Sequence, residues 1–354
     1  MSKYYEYRDS KYIEKTDELL NVLPEFVKTF AIKLNIDNKA ASTIYNYIDD
    51  IKRFFEYLLH TNPLLKGKTL KDIELDYLFS LTPMDIEEYF YEAGKFQKGS
   101  DARSLYKAKS PTWTKRNLAS IRALYNYWYS HSGDLISNPA LLVTGPKLKK
   151  KEVLTLDSDE RNNLLDSAEM GAGLTERQIK FHNHKEYKTR DIAILVLMLS
   201  TGIRVGELVG LDIKDIDFKN GGIFVHRKGG KEMTVYFNDE AESYLKEYLD
   251  GFRLLESTKA KIDETDKDAL FLSRYYKRIG VRDVERLVKK YKDAVAISEK
   301  ITPHKLRGTF ATQFYKQTKD IMALKEILGH EDIKTTQVYI SNKDQIRRTK
   351  IRFD

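Results

Sequence analysis

The chain has 354 residues, 41% of them hydrophobic, which is enough for two or three domains with packed cores. Its formal net charge of +8 suits a polyanionic partner, nucleic acid or an anionic membrane surface, although spare surface lysines give the same balance. Cysteine is absent, which excludes disulfides, thiol nucleophiles and cysteine-ligated zinc or iron–sulfur sites. The N-terminal MSKYYEYRDSKY lacks the apolar run of a signal peptide. The longest apolar run, Ile192 to Leu199, is far too short to cross a bilayer. A soluble, cytoplasmic protein with no membrane partner is expected.

The first part of the chain reads as helices. One is expected over about residues 16–34. Ile44, Tyr47, Ile48, Ile51, Phe54, Phe55, Leu58 and Leu59 then recur at three- and four-residue steps, one apolar stripe on a long helix that Asn62-Pro63 ends. Thr82-Pro83 supplies a cap and a first-turn proline for a helix to about residue 93. A further helix follows Pro111, with Leu118, Ile121, Leu124, Tyr125 and Trp128 on one face. The four helices make a compact domain over residues 1–140. Asn138-Pro139, Gly145-Pro146 and Lys147, Lys149, Lys150 and Lys151 break the periodicity, and residues 141–156 read as a basic linker.

Residues 157–354 form a second, mixed domain, so the fold class expected is mainly α with a small β-sheet (α+β). A helix is expected over about residues 157–168, then a polar, basic loop or irregular insertion over 171–190. A buried helix over 191–200, apolar nearly all round, is broken by Gly202. Two short strands, about 222–226 and 232–237, flank a hairpin turn of Lys228-Gly229-Gly230-Lys231. Helices follow over about 240–254, 281–291, 303–317, 321–328 and 333–339.

Six side chains in this second part carry chemistry by type and place. Arg204, in Thr-Gly-Ile-Arg-Val-Gly-Glu-Leu, stands where one helix ends and another begins, a place that favours anions. Lys228 lies on the hairpin turn. Thr302 reads as the cap of a helix on which His304 and Arg307, three apart, share a face. His330 follows a helix-ending Gly329, and Tyr339 comes nine residues later. Each alone has an ordinary structural explanation; the joint pattern does not. His182, His184 and His226 read as surface residues, and Glu207, Asp212, Asp215 and Asp217 as solvent-facing helix and turn residues that form no metal site.

The segments TGIRVGELVGLDIKDID, HRKGGKEMTV, TPHKLRGTFATQFY and ILGHEDIKTTQVYI resemble, in order and spacing, the tyrosine recombinase (phage integrase) family. The resemblance covers the whole second part and, more loosely, the helical first part, where that family has its core-binding domain. It places the family's Arg-Lys-His-Arg-His-Tyr set on Arg204, Lys228, His304, Arg307, His330 and Tyr339. Overall length, the RKGGK hairpin, TPHKLR and YNYIDDIKRFFEYL are similar to the Xer type, in its single-recombinase form. Gly308 departs from the pattern, since many members carry histidine after the second arginine.

The resemblance implies strand cleavage and rejoining through a 3′-phosphotyrosine on Tyr339, without metal, cofactor or nucleotide. Arg204 and Arg307 clamp the phosphate, because planar guanidinium forks match its oxygens. Lys228 is the implied general acid, with Lys231 its rival on the same turn; His304 manages the tyrosine proton and His330 hydrogen-bonds the phosphate. The implied partners are double-stranded DNA at a dif-like site, a homotetramer assembled on it, and a cell-division DNA translocase, in the service of chromosome-dimer resolution. The tail after Tyr339 is expected to dock on a neighbouring protomer. Lys52 and Arg53 on the earlier helix, and Thr112, Lys115, Arg116 and Arg122 on the later one, lie opposite the apolar stripes and are expected to face DNA. Three alternatives are an integrase of a phage or mobile element, a type IB topoisomerase, and a non-catalytic DNA-binding protein. The first fifteen residues are too few for an integrase's arm-binding domain, which favours the Xer reading.

Overall fold

The computed structural model describes residues 3–92, 110–131, 138–147, 154–227, 231–297 and 301–339. The chain divides into two compact units, Lys3–Lys150 and Lys151–Asp354. It is mainly helical with one small antiparallel sheet, the class expected.

The first unit comprises α1 (Lys3–Leu20), α2 (Glu25–Ile36), α3 (Ala41–Thr61), α4 (Leu75–Ser80), α5 (Pro83–Glu92), α6 (Pro111–His131) and one-turn α7 (Pro139–Leu142). Helix α3 is its centre. Ile44, Ile48, Ile51, Phe54, Phe55 and Leu58 are all buried, and the helix packs on α1, α2 and α6. The single helix expected over residues 16–34 is in fact two. Pro24 has no N–H to continue a helix and would clash with the carbonyl four residues back, so α1 stops at Leu20 and Pro24 becomes the N-cap of α2. At the start of α5 the Asp85 carboxylate accepts the Thr82 N–H at 2.7 Å, and the Thr82 hydroxyl accepts the Asp85 N–H at 3.4 Å.

The second unit comprises α8 (Ser158–Met170), α9 (Glu176–His182), α10 (Lys185–Thr201), α11 (Val205–Val209), β1 (Ile216–Asp217), β2 (Gly222–His226) and β3 (Glu232–Tyr236). After them come α12 (Asp239–Tyr248), α13 (Glu256–Lys259), α14 (Val281–Ala294), α15 (Pro303–Thr318), α16 (Ile321–Leu328) and α17 (Ile333–Gln337). Helix α10 is the buried axis, with Ile192 to Leu199 all 8% exposed or less. It ends at Gly202 in the left-handed conformation, φ +63°, where a Cβ would lie 2.3 Å from Phe310 Cδ1. Helix α15 therefore sits directly on the end of α10. In the sheet β2 lies between β1 and β3, with Ile223 opposite Val235 and His226 opposite Glu232.

Residues 171–190 are not a loop. Helix α9 forms there, started by Thr175, whose N–H donates to Gln178 Oε1 at 2.9 Å, and α10 already begins at Lys185. His182 is correspondingly not a surface residue; it is 4% exposed, with Nε2 2.8 Å from the Ala168 carbonyl. Among the described residues no helix is long and apolar enough to cross a membrane.

Candidate active site

Arg204 leads into α11 directly after the Gly202 turn. Its N–H donates to Glu207 Oε2 at 3.0 Å and its Nη1 to Glu207 Oε1 at 2.7 Å. Glu207 is thus not solvent-facing: it is 6% exposed, and its carboxylate also lies 3.6 Å from Arg227 Nε. Asp212 and Asp215 are buried too. The Asp212 carboxylate pairs with Arg278, and Asp215 accepts the Asp212 N–H at 2.8 Å. Asp217 is exposed, as expected, and accepts from Asn220. The three corrections share a cause: each buried carboxylate answers an N–H or a cation that folding brings to it.

Arg307 is 1% exposed on the inner face of α15. Nη1 donates to the Gly202 carbonyl and Nη2 to the Leu328 carbonyl, both at 2.5 Å. One guanidinium thereby ties the end of α10 to the end of α16, where helix carbonyls lack internal partners and favour a cation. Burial, then the nearby Arg204 guanidinium, pull its pKa down to about 10, still charged at neutral pH.

His330 follows Gly329, which closes α16 at φ +59°. Its Nδ1 is 2.9 Å from the Thr336 hydroxyl and its Nε2 3.4 Å from Arg307 Nη2. A guanidinium only donates, so Nε2 is the accepting nitrogen and Nδ1 carries the proton towards Thr336. Burial, followed by Arg307, Arg204, Arg227 and His304, lowers the imidazole pKa to about 4. His304, exposed on the first turn of α15, is also lowered, by desolvation and then by Arg307, Lys305 and Arg204. Tyr339 follows α17 with its ring 6.2 Å from that of His330 and nearly parallel to it, 15° between planes. It is 6% exposed and packs with Ala311, Tyr315, Leu324 and Leu328.

Folding therefore gathers Arg204, His304, Arg307, His330 and Tyr339, from four separate stretches of chain, around one cationic patch. Two guanidinium groups and two imidazoles beside a phenol can hold a tetrahedral oxyanion while the phenol attacks its centre. Lys228 lies outside the described residues, as does the tail after Tyr339. The rival Lys231 is exposed and pairs with Glu331 at 3.1 Å. Among the described residues no group of three or more His, Asp or Glu side chains is arranged to hold a metal ion. Sequence reasoning missed Glu207 and Arg227. Glu207 left a signal, its three-residue spacing from Arg204; Arg227 left none.

In the first unit the cations expected to face DNA behave differently from one another. Lys52 pairs with Glu56 at 2.9 Å and Arg53 with Asp49 at 2.9 Å, both along α3. Arg116 grips the fully buried Asp50 with two donors, at 2.8 and 3.2 Å, yet stays 49% exposed. Arg122 is turned inward, donating to the Ala140 and Val143 carbonyls at 2.8 and 2.5 Å. Thr112 and Lys115 are exposed.

Residues 158–345 match the phage integrase family. Tyrosine recombinase XerC of Thermodesulfovibrio yellowstonii is 35% identical over 264 residues, 72% of this chain and 82% of that protein. Tyrosine recombinase XerS of Streptococcus uberis is 32% identical over an alignment of 359 positions, gaps included, that covers 94% of this chain and 96% of the relative. Among solved structures, a XerH site-specific recombinase bound to a palindromic difH substrate in a post-cleavage complex has the same fold. It is 20% identical with a TM-score of 0.64, covering 89% of this chain and 81% of that one.

Proposed function

The chain belongs to the phage integrase family and is a tyrosine site-specific recombinase, and from that premise we propose that Arg204, Lys228, His304, Arg307, His330 and Tyr339 cut and rejoin double-stranded DNA. The convergence of five of the six on one patch is the observation that carries this reading.

Tyr339 Oη attacks phosphorus. The P–O5′ bond breaks, leaving a 3′-phosphotyrosine and a free 5′-hydroxyl. His304 takes up the phenol proton, and Lys228 protonates the departing O5′. Arg204 and Arg307 hold the two non-bridging oxygens, where negative charge gathers at the transition state, and His330, with its proton moved to Nε2 and Nδ1 then accepting from the Thr336 hydroxyl, donates to the same phosphate. The ester conserves the bond energy, so rejoining runs the same steps backwards with no nucleotide.

The substrate is a dif-like site, and the biological task is resolution of chromosome dimers in the cytoplasm by a tetramer assembled on two sites, with a cell-division translocase as its partner. The 32% identity to XerS, over 94% of this chain, supports this reading over a mobile-element integrase. In this scheme residues 1–140 are the core-binding domain, 141–156 the linker and 157–354 the catalytic domain, whose tail engages a neighbouring protomer.

A nicked suicide duplex carrying candidate dif-like sites, incubated in EDTA with wild type and Tyr339→Phe, tests the chemistry. A covalent adduct on denaturing gels from wild type alone is expected. An adduct that persists in Tyr339→Phe overturns the nucleophile. No adduct across a library of sites overturns the catalytic reading in favour of a binding protein.

A further inference from the structure

Helix α16 ends in three consecutive carbonyls, Glu326, Ile327 and Leu328, immediately before the Gly329–His330 turn. Arg307 holds the Leu328 carbonyl. The other two, of which the Glu326 carbonyl also accepts the Gly329 N–H at 2.8 Å, meet Arg227, the residue that follows β2. Its backbone N–H closes the base of the hairpin on the Lys231 carbonyl at 2.7 Å. Its side chain, 4% exposed, runs under the end of α16, with Nη2 donating to Ile327 O at 2.7 Å and Nη1 lying 3.4 Å from Glu326 O. A cation at the carbonyl end of a helix is well placed electrostatically.

The contact with the turn is close enough to exclude any larger residue. A Cβ on Gly329 would lie 1.9 Å from Arg227 Nη1, and the φ of +59° there already favours glycine. Glu207 adds an ion pair, its carboxylate 3.6 Å from Nε, but no hydrogen bond to that nitrogen. The directional contacts of the group are to the two carbonyls.

We propose that Arg227 is a positioning residue for His330, fixing the end of α16 and hence the placement of the imidazole beside Arg307. It touches no reacting atom. Two guanidinium groups, one from the end of β2 and one from α15, grip successive carbonyls, and the Thr336 hydroxyl at Nδ1 sets the ring's rotation. The inference rests on the reading of His330 as a phosphate-binding group.

A double-mutant cycle on single-turnover cleavage of the suicide duplex tests it, using Arg227→Ala, His330→Gln and the pair. Each single variant is expected to cleave on the order of 100-fold more slowly, the scale of an ångström's misplacement in an active site. DNA affinity should be unchanged, since Arg227 is buried. The double variant should be no slower than His330→Gln alone. Losses that multiply mean Arg227 matters for folding or for another group, and overturn the inference, as does wild-type cleavage by Arg227→Ala. Wild-type cleavage by His330→Gln overturns the reading of His330 itself, and this inference with it. If Arg227→Ala does not fold, Arg227→Lys replaces it in the cycle: it keeps the charge but cannot span two carbonyls.

Discussion

A neutral imidazole surrounded by arginines carries a pH dependence of definite sign. The folded-state pKa of His330 is about 4, against 6.5 for a free imidazole, and that of His304 is lowered as well. Between those two values the unfolded chain binds a proton that the folded chain does not, so acidification favours unfolding. The stability owed to a neutral His330 is whole above about 6.5 and is lost as pH falls towards about 4. Urea unfolding of wild type and His330→Gln over that window is expected to show a steeper acid loss in wild type; parallel curves would remove the claim. Arg307 is tested by its own geometry. Lysine keeps the charge but cannot reach the Gly202 and Leu328 carbonyls together, so Arg307→Lys should cost about 2 kcal/mol of stability by chemical denaturation. It should also slow adduct formation on the order of 100-fold. A stable, fully active variant would show that neither the fork nor the tie between helices matters.

Among the elements, those with both a periodic apolar face and a terminal signal were legible from sequence. Helix α3 with Asn62-Pro63 after it, α5 behind Thr82-Pro83, and α16 before Gly329 fall where expected. Helix α9 was not legible because its sequence, ERQIKFH, is polar and only His182 is buried. Strand β1 is two residues long, too short for any period to register. The site was legible where motif order carried it and illegible where a partner comes from far along the chain: Arg227 meets the Ile327 carbonyl 100 residues away, and nothing local announces that. Close approach between elements can be measured with two glycines. Gly202 and Gly221 share φ +63°, but a Cβ on Gly202 meets Phe310 at 2.3 Å, whereas on Gly221 it has only the Phe237 carbonyl at 3.9 Å. Gly221→Ala should cost about 1 kcal/mol for the left-handed backbone alone. Gly202→Ala should cost at least about 2 kcal/mol, adding displacement of α15 from the end of α10. Equal losses in chemical denaturation would mean that α15 yields freely.

For the molecule as a whole, the excess of 61 basic over 53 acidic side chains is too small to hold DNA by net charge, so position has to decide which cations count. Each Lys or Arg that neutralises a phosphate releases counterions and steepens the dependence of affinity on salt by about 0.9 in log–log slope. Lys115 is exposed, so Lys115→Ala should lower the slope by about 1 and leave stability nearly untouched. Arg116 does two things at once. Its exposed face is free to meet a phosphate while its other face neutralises the buried Asp50, so Arg116→Ala should lower both slope and melting temperature. Arg122 belongs to the fold rather than to the surface. Losing its bonds to the Ala140 and Val143 carbonyls should cost about 2 kcal/mol and leave the slope unchanged. Fluorescence anisotropy on one duplex across a salt series, paired with thermal melts of the same variants, separates the three cases. A slope that falls for Arg122→Ala while its melting temperature holds would mean that the guanidinium leaves those carbonyls for the DNA, and that the inward conformation belongs only to the free protein.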